Sequence, residues 1–185
     1  MSTSQKITKS ALMLALSTVL MLISKTIPSP WLQGGSVTLA SMVPIIIIGI
    51  MFGTKWGLCS SLGYSFIQLL LGFYPPPTRT FFYFVLVVFI DYILAFGVLG
   101  LSGLFYSISG KKSFSAPLSG FIVTFLRYVC HVISGILIWG VYAENGQTVL
   151  AYSITYNATY MIPEIIITTV VLAIISKMQF FNKKY

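Results

Sequence analysis

Asp and Glu occur only three times in this chain of 185 residues, and two of them, Asp91 and Glu164, stand inside long apolar runs. A charge held in hydrocarbon costs about 2.5–3.5 kcal/mol by insertion scales. Each of these carboxylates therefore needs a reason to be there: a counter-charge, a proton to relay or a ligand to hold. Two further ionisable groups, Arg127 and His131, share another apolar run. A single His, with Cys59 and Cys130 far apart, builds no zinc site. No G-x-x-x-x-G-K-[ST] phosphate loop is present, so neither a metal nor a nucleotide cofactor is expected. Recognition of a small molecule remains. A carboxylate in a low dielectric attracts a cation, and the faces of Tyr92, Trp139 and Tyr152 attract cations and flat rings by about 0.5–2 kcal/mol each. His131 and Asn157 add donors and acceptors that reject apolar mimics, because an unmatched buried polar group costs about 1–3 kcal/mol. The ligand that suits this set is a planar, cationic heteroaromatic nutrient rather than an inorganic ion.

The elements that carry these groups follow from composition. Hydrophobic residues make up 57% of the chain and charged residues 8%, with mean hydropathy +0.93; soluble domains carry about 25% charged residues. The chain is read as an all-α integral membrane protein, a single bundle of six transmembrane helices. The spans are expected over residues 7–26, 37–53, 56–73, 80–104, 116–140 and 148–176, separated by breaker-rich loops such as PSPWLQGG (28–35) and YPPPT (74–78). With six crossings, Lys6, Lys9, Lys55, Lys111, Lys112, Lys177, Lys183 and Lys184 gather on one side and only Lys25 and Arg79 on the other. Both termini are thus expected to be cytoplasmic. The net charge of +8 is accounted for by a rim beside anionic lipid and calls for no nucleic acid.

Depth along each helix brings the polar groups together. At about 1.5 Å per residue, Asp91 lies about 16 Å, His131 about 14 Å and Asn157 about 14 Å from the outer ends of their helices, with Tyr152 nearer the mouth. The expected pocket opens outward, with Asp91, His131 and Asn157 on its floor and Tyr92, Trp139 and Tyr152 on its walls. Glu164 lies deeper and is assigned to an internal polar network or helix contact. Other readings stay open: Asp91 paired with Arg127 as a structural bridge, Trp139 as an interfacial belt residue, a standalone proton-coupled carrier using Asp91 or Glu164, and a membrane enzyme using Asp91 and His131 as acid and base. In the first span, Ala11 and Ala15 form a small-residue pair at which another helix could approach closely.

Four blocks in order, QGGSVTLASMVPI (33–45), DYILAF (91–96), RYVCHVISGILIWG (127–140) and YSITYNATYMIP (152–163), carry H-x-x-x-G-x-x-x-W and Y-x-x-x-x-N spacings. They resemble the thiamine-specific substrate-binding component of energy-coupling factor transporters. The resemblance implies a non-enzymatic thiamine-binding subunit in a prokaryotic plasma membrane, partnered by a transmembrane coupling subunit and two ATPases. It further implies that Trp139 stacks on a thiamine ring, that Tyr152 and Asn157 hydrogen-bond the aminopyrimidine, and that Tyr92 and His131 lie at the thiazolium end. Asp91, which stands where some members have Glu, would be the counter-charge or pyrimidine partner with a shorter reach. Trp31 would be the aromatic of a covering loop. Ala11 and Ala15 would form the face that docks on the coupling subunit.

Overall fold

The computed structural model describes residues 1–26, 35–112, 114–144 and 146–178. Six helices account for the regular structure among them: α1 Thr3–Ser24, α2 Val43–Phe52, α3 Thr54–Gly72, α4 Phe81–Ile108, α5 Ser115–Tyr142 and α6 Val149–Lys177. Four of these, α1, α4, α5 and α6, are long and apolar enough to cross a membrane.

The helix starts have local causes. The Ser2 hydroxyl accepts from Gln5 N and the Gln5 side chain accepts from Ser2 N, a reciprocal cap on α1. Thr80 and Thr148 cap α4 and α6 by accepting from Tyr83 N and Ala151 N. Gly53, at φ 89°, supplies the left-handed turn that joins α2 to α3 through a single residue.

The second helix is shorter than its expected span of 37–53. Ala40 sits at φ 58° and Pro44 occupies the first turn, so the helix begins at Val43 and the 35–42 segment stays irregular. At about 1.5 Å per residue, its ten residues reach only about 15 Å. Every residue from Val43 to Ile50 is buried, which is why α2 is apolar on all faces; it packs against α1, α3 and α4 as the centre of the bundle.

Close approach between helices relies on small residues and hydroxyls. A Cβ on Gly100 of α4 would meet the α3 backbone at Leu58 N within 2.5 Å. Ser102 Oγ donates to Ile46 O across the α4–α2 contact at 2.9 Å. The most extensive pairing is between α5 and α6, where Ser153 Oγ donates to Val132 O at 2.7 Å. Apolar side chains such as Leu70 and Phe81, 86% and 82% exposed, point outward, as lipid-facing positions do.

Candidate ligand-binding site

A cavity of about 300 Å³ lies inside the bundle, toward the end where α1 meets α2, α3 meets α4 and α5 meets α6. That is near the lower bound of about 300–1,000 Å³ for small-molecule pockets. Its lining includes Asp91, Tyr92, His131, Trp139, Tyr152 and Asn157, six residues singled out in the sequence. Trp31 lies outside the described residues.

The helices that present these side chains depart from regular α geometry where they do so. In α4 the turns widen to a π-type helix over Val88–Leu94, which contains Asp91 and Tyr92. In α5 the same widening covers Gly135–Trp139 and ends on Trp139. Single π-type segments inside longer helices mark functional positions frequently. Gly135 also permits the α5–α6 contact beside the cavity, because a Cβ there would stand 2.0 Å from Ser153 Oγ and 3.1 Å from Asn157 Nδ2.

Asp91 is bound by protein donors on both oxygens. His131 Nδ1 donates to Oδ1 at 2.9 Å; Ser134 Oγ donates to Oδ2 at 2.5 Å and Trp139 Nε1 donates to the same oxygen at 3.2 Å. Trp139 Nε1 also lies 3.2 Å from Ser134 Oγ, so the carboxylate and hydroxyl together set the indole edge. With Nδ1 carrying the proton toward the carboxylate, His131 turns Nε2 inward, where it is buried without a protein partner. The bridge weighed between Asp91 and Arg127 is not formed: Asp91 pairs with His131, and the Arg127 guanidinium lies 3.7 Å from the Phe96 ring centroid instead.

Two expected ligand groups are engaged inside the protein. Asn157 Nδ2 donates to Ser153 O at 2.8 Å and His131 O at 3.2 Å, and its Oδ1 accepts from Tyr160. Tyr92 OH donates to Gly72 O at 2.9 Å and accepts from Tyr74 N at 2.8 Å, tying α4 to the end of α3. Tyr152 differs, since its hydroxyl is buried and has no partner.

Several lining residues were not placed here by the sequence. Glu164, assigned to an internal network away from the pocket, lines the cavity; one oxygen accepts from Thr38 N while Oε2 is buried without a partner. Arg127 also lines it, with Nε and Nη1 unpaired. Tyr74 packs against Trp139 with ring centroids 5.5 Å apart. The 35–42 segment contributes Gly35, Ser36, Thr38, Ser41 and Met42. A helical-face signal for Glu164 existed, because Asn157 and Glu164 are seven residues apart, about two turns on one face.

The arrangement defines a class: a helical membrane protein with an interior, aromatic-walled cavity lined by Arg127, His131, Tyr152 and Glu164, each of which carries a buried polar atom without a protein partner. Such atoms in a water-poor interior cost about 1–3 kcal/mol each until a ligand or water meets them. Residues 7–183 match the family described as thiamine transporter protein, and the chain belongs to that family. A relative from Bacillus subtilis, named thiamine transporter ThiT, is 38% identical over 77% of this chain and 76% of its own length. A second protein of that name, from Lacticaseibacillus paracasei, is 30% identical over 46% of this chain and 47% of its own. A solved structure of ThiT from Listeria monocytogenes superposes with TM-score 0.71 at 23% identity, covering 94% of this chain and 93% of that one; it shares the fold. The relatives are named as transporters, not enzymes, and the chain is accordingly a multi-pass protein of the bacterial plasma membrane.

Proposed function

We propose that this chain binds thiamine in the interior cavity as the substrate-binding component of an energy-coupling factor transporter. The observation that supports this most is that four residues lining one aromatic-walled cavity, Arg127, His131, Tyr152 and Glu164, each carry a buried polar atom without a protein partner, in a chain of the thiamine transporter family. Thiamine is planar in its two rings, permanently cationic and rich in hydrogen-bonding groups. Trp139 offers a ring face, Tyr152 OH and Asn157 stand toward the aminopyrimidine, and Tyr92 and His131 toward the thiazolium, with Trp31 in the covering loop. Asp91 contributes by holding His131 and Trp139 in place. Both termini are cytoplasmic and the cavity mouth faces outward. Energy comes from partners: a transmembrane coupling subunit, met through Ala11 and Ala15, and two ATPases.

Titration of the purified protein with thiamine tests this. Tryptophan emission is expected to quench with tight saturation in the wild type, and Trp139→Ala is expected to weaken binding at least tenfold. Absence of quenching and of heat at micromolar thiamine would overturn the assignment.

A further inference from the structure

We infer that Trp56 is a positioning residue for docking: its indole sets the rotation of α1 in the bundle and so the direction in which Ala11 and Ala15 face the coupling subunit. This rests on the partner reading above and adds the residue that fixes its geometry. Of the four long spans α1 is the least buried, and it packs on α2 and α3. The side it turns inward carries little apolar bulk: Ser10, Ser17 and Ser24 with Met21. A face of three serines gains little from apolar packing, so the angle of α1 about its own axis depends on its directional bonds.

At the cavity end those bonds are made by Ser24 Oγ, which accepts from Leu39 N at 2.8 Å, and Lys25 Nζ, which donates to Leu71 O at 2.7 Å. At the far end the bond comes from Trp56, in the first turn of α3. Its Nε1 donates to Ser10 Oγ at 2.8 Å, and Lys6 Nζ stands 5.8 Å from the centroid of its ring. Lys6 and Ser10 are four residues apart on one face of α1, so a single indole spans that turn. Between the two ends the Ser17 hydroxyl is buried without a protein partner and fixes no angle. Ala11 follows Ser10 directly, about 100° around the helix, and Ala15 lies one turn further on the exposed side. Loss of the Ser10 bond therefore frees the half of α1 that carries both alanines while the other half stays tied. Neither Trp56 nor Ser10 lines the cavity, so the effect falls on docking and not on the ligand's surroundings.

The test measures two affinities for wild type, Trp56→Phe, Ser10→Ala and the double variant: that for the coupling subunit in complex with its two ATPases, and that for thiamine. Phenylalanine keeps an aromatic face for Lys6 and removes the donor; alanine removes the acceptor. Each single variant is expected to dock about 3- to 10-fold more weakly, the net worth of about one hydrogen bond, and the double variant no more weakly than either, because both changes remove the same bond. Thiamine affinity is expected to stay within about twofold throughout, since both positions lie apart from the cavity lining. Docking at wild-type strength in both single variants overturns the inference, and so do additive losses in the double variant or a fall in thiamine affinity that matches the fall in docking. Ala15→Trp is the control: if it docks as well as wild type, the α1 face is not the docking surface and the partner reading itself fails.

Discussion

Ser134 shows how a residue can shape the site without facing a ligand. It is fully buried, donates to Asp91 Oδ2 and stands 3.2 Å from Trp139 Nε1, so it ties the acid to the indole. Replacing it with Ala removes a donor from the carboxylate and one of two acceptors from the indole. Thiamine binding should weaken about 3- to 10-fold, the net worth of about one hydrogen bond, because the loss reaches the ligand only through Asp91 and the indole. Trp139 emission before any ligand is added should also shift, measured with Trp31 and Trp56 replaced by Phe. An unchanged spectrum would show that Ser134 does not set the indole. The sequence contained a signal for this residue, since His131 and Ser134 are three apart on one helix face. Spacing alone does not single it out, because serine in apolar helices so often bonds its own backbone, as Ser65 does to Leu62 O. Asp91 and His131 stood out at once because ionisable groups in apolar runs are rare, whereas the commitment of Asp91 to protein donors is a matter of side-chain direction that spacing does not encode.

At the level of helices, the pairing of α5 with α6 decides where His131, Trp139, Tyr152 and Asn157 meet. Gly135 lets the two helices approach closely, and a methyl there would collide with Ser153 Oγ at 2.0 Å. Gly135→Ala should therefore cost about 1–3 kcal/mol, the range for overpacking, and lower the thermal midpoint in detergent. Gly63 in α3 is the control: nothing lies within 4 Å of a Cβ placed there, so Gly63→Ala should be neutral or raise the midpoint through helix propensity. Equal midpoints for the two variants would contradict the packing account. Helix number, order and most ends were legible because Thr80, Gly53 and Thr148 punctuate apolar runs. The start of α2 was not, because Val37–Met42 reads as apolar helix while Thr38 and Leu39 direct their N–H groups to Glu164 and Ser24 Oγ instead. That irregular segment brings Thr38 to Glu164 at the cavity, a juxtaposition that helix depths alone do not encode.

For the whole molecule, the proposed function puts ligand binding and partner docking on different faces. The buried face of α1 presents Ser10, Ser17, Met21 and Ser24 to the bundle, while Ala11 and Ala15 lie exposed among Ile7, Leu12, Leu16 and Val19. An apolar surface with two small residues one turn apart suits lipid, and equally admits another helix at short range. Neither alanine lines the cavity, so a large side chain there leaves the ligand's surroundings intact. Ala15→Trp is expected to keep thiamine affinity within about twofold, since it disturbs no cavity contact, yet to abolish uptake in cells that supply the coupling subunit and ATPases. The paired measurement separates the surviving mechanisms. A carrier working alone would bind and transport normally in the variant and would take up thiamine without the ATPases, whereas a subunit that must dock would lose uptake while its titration curve stayed in place.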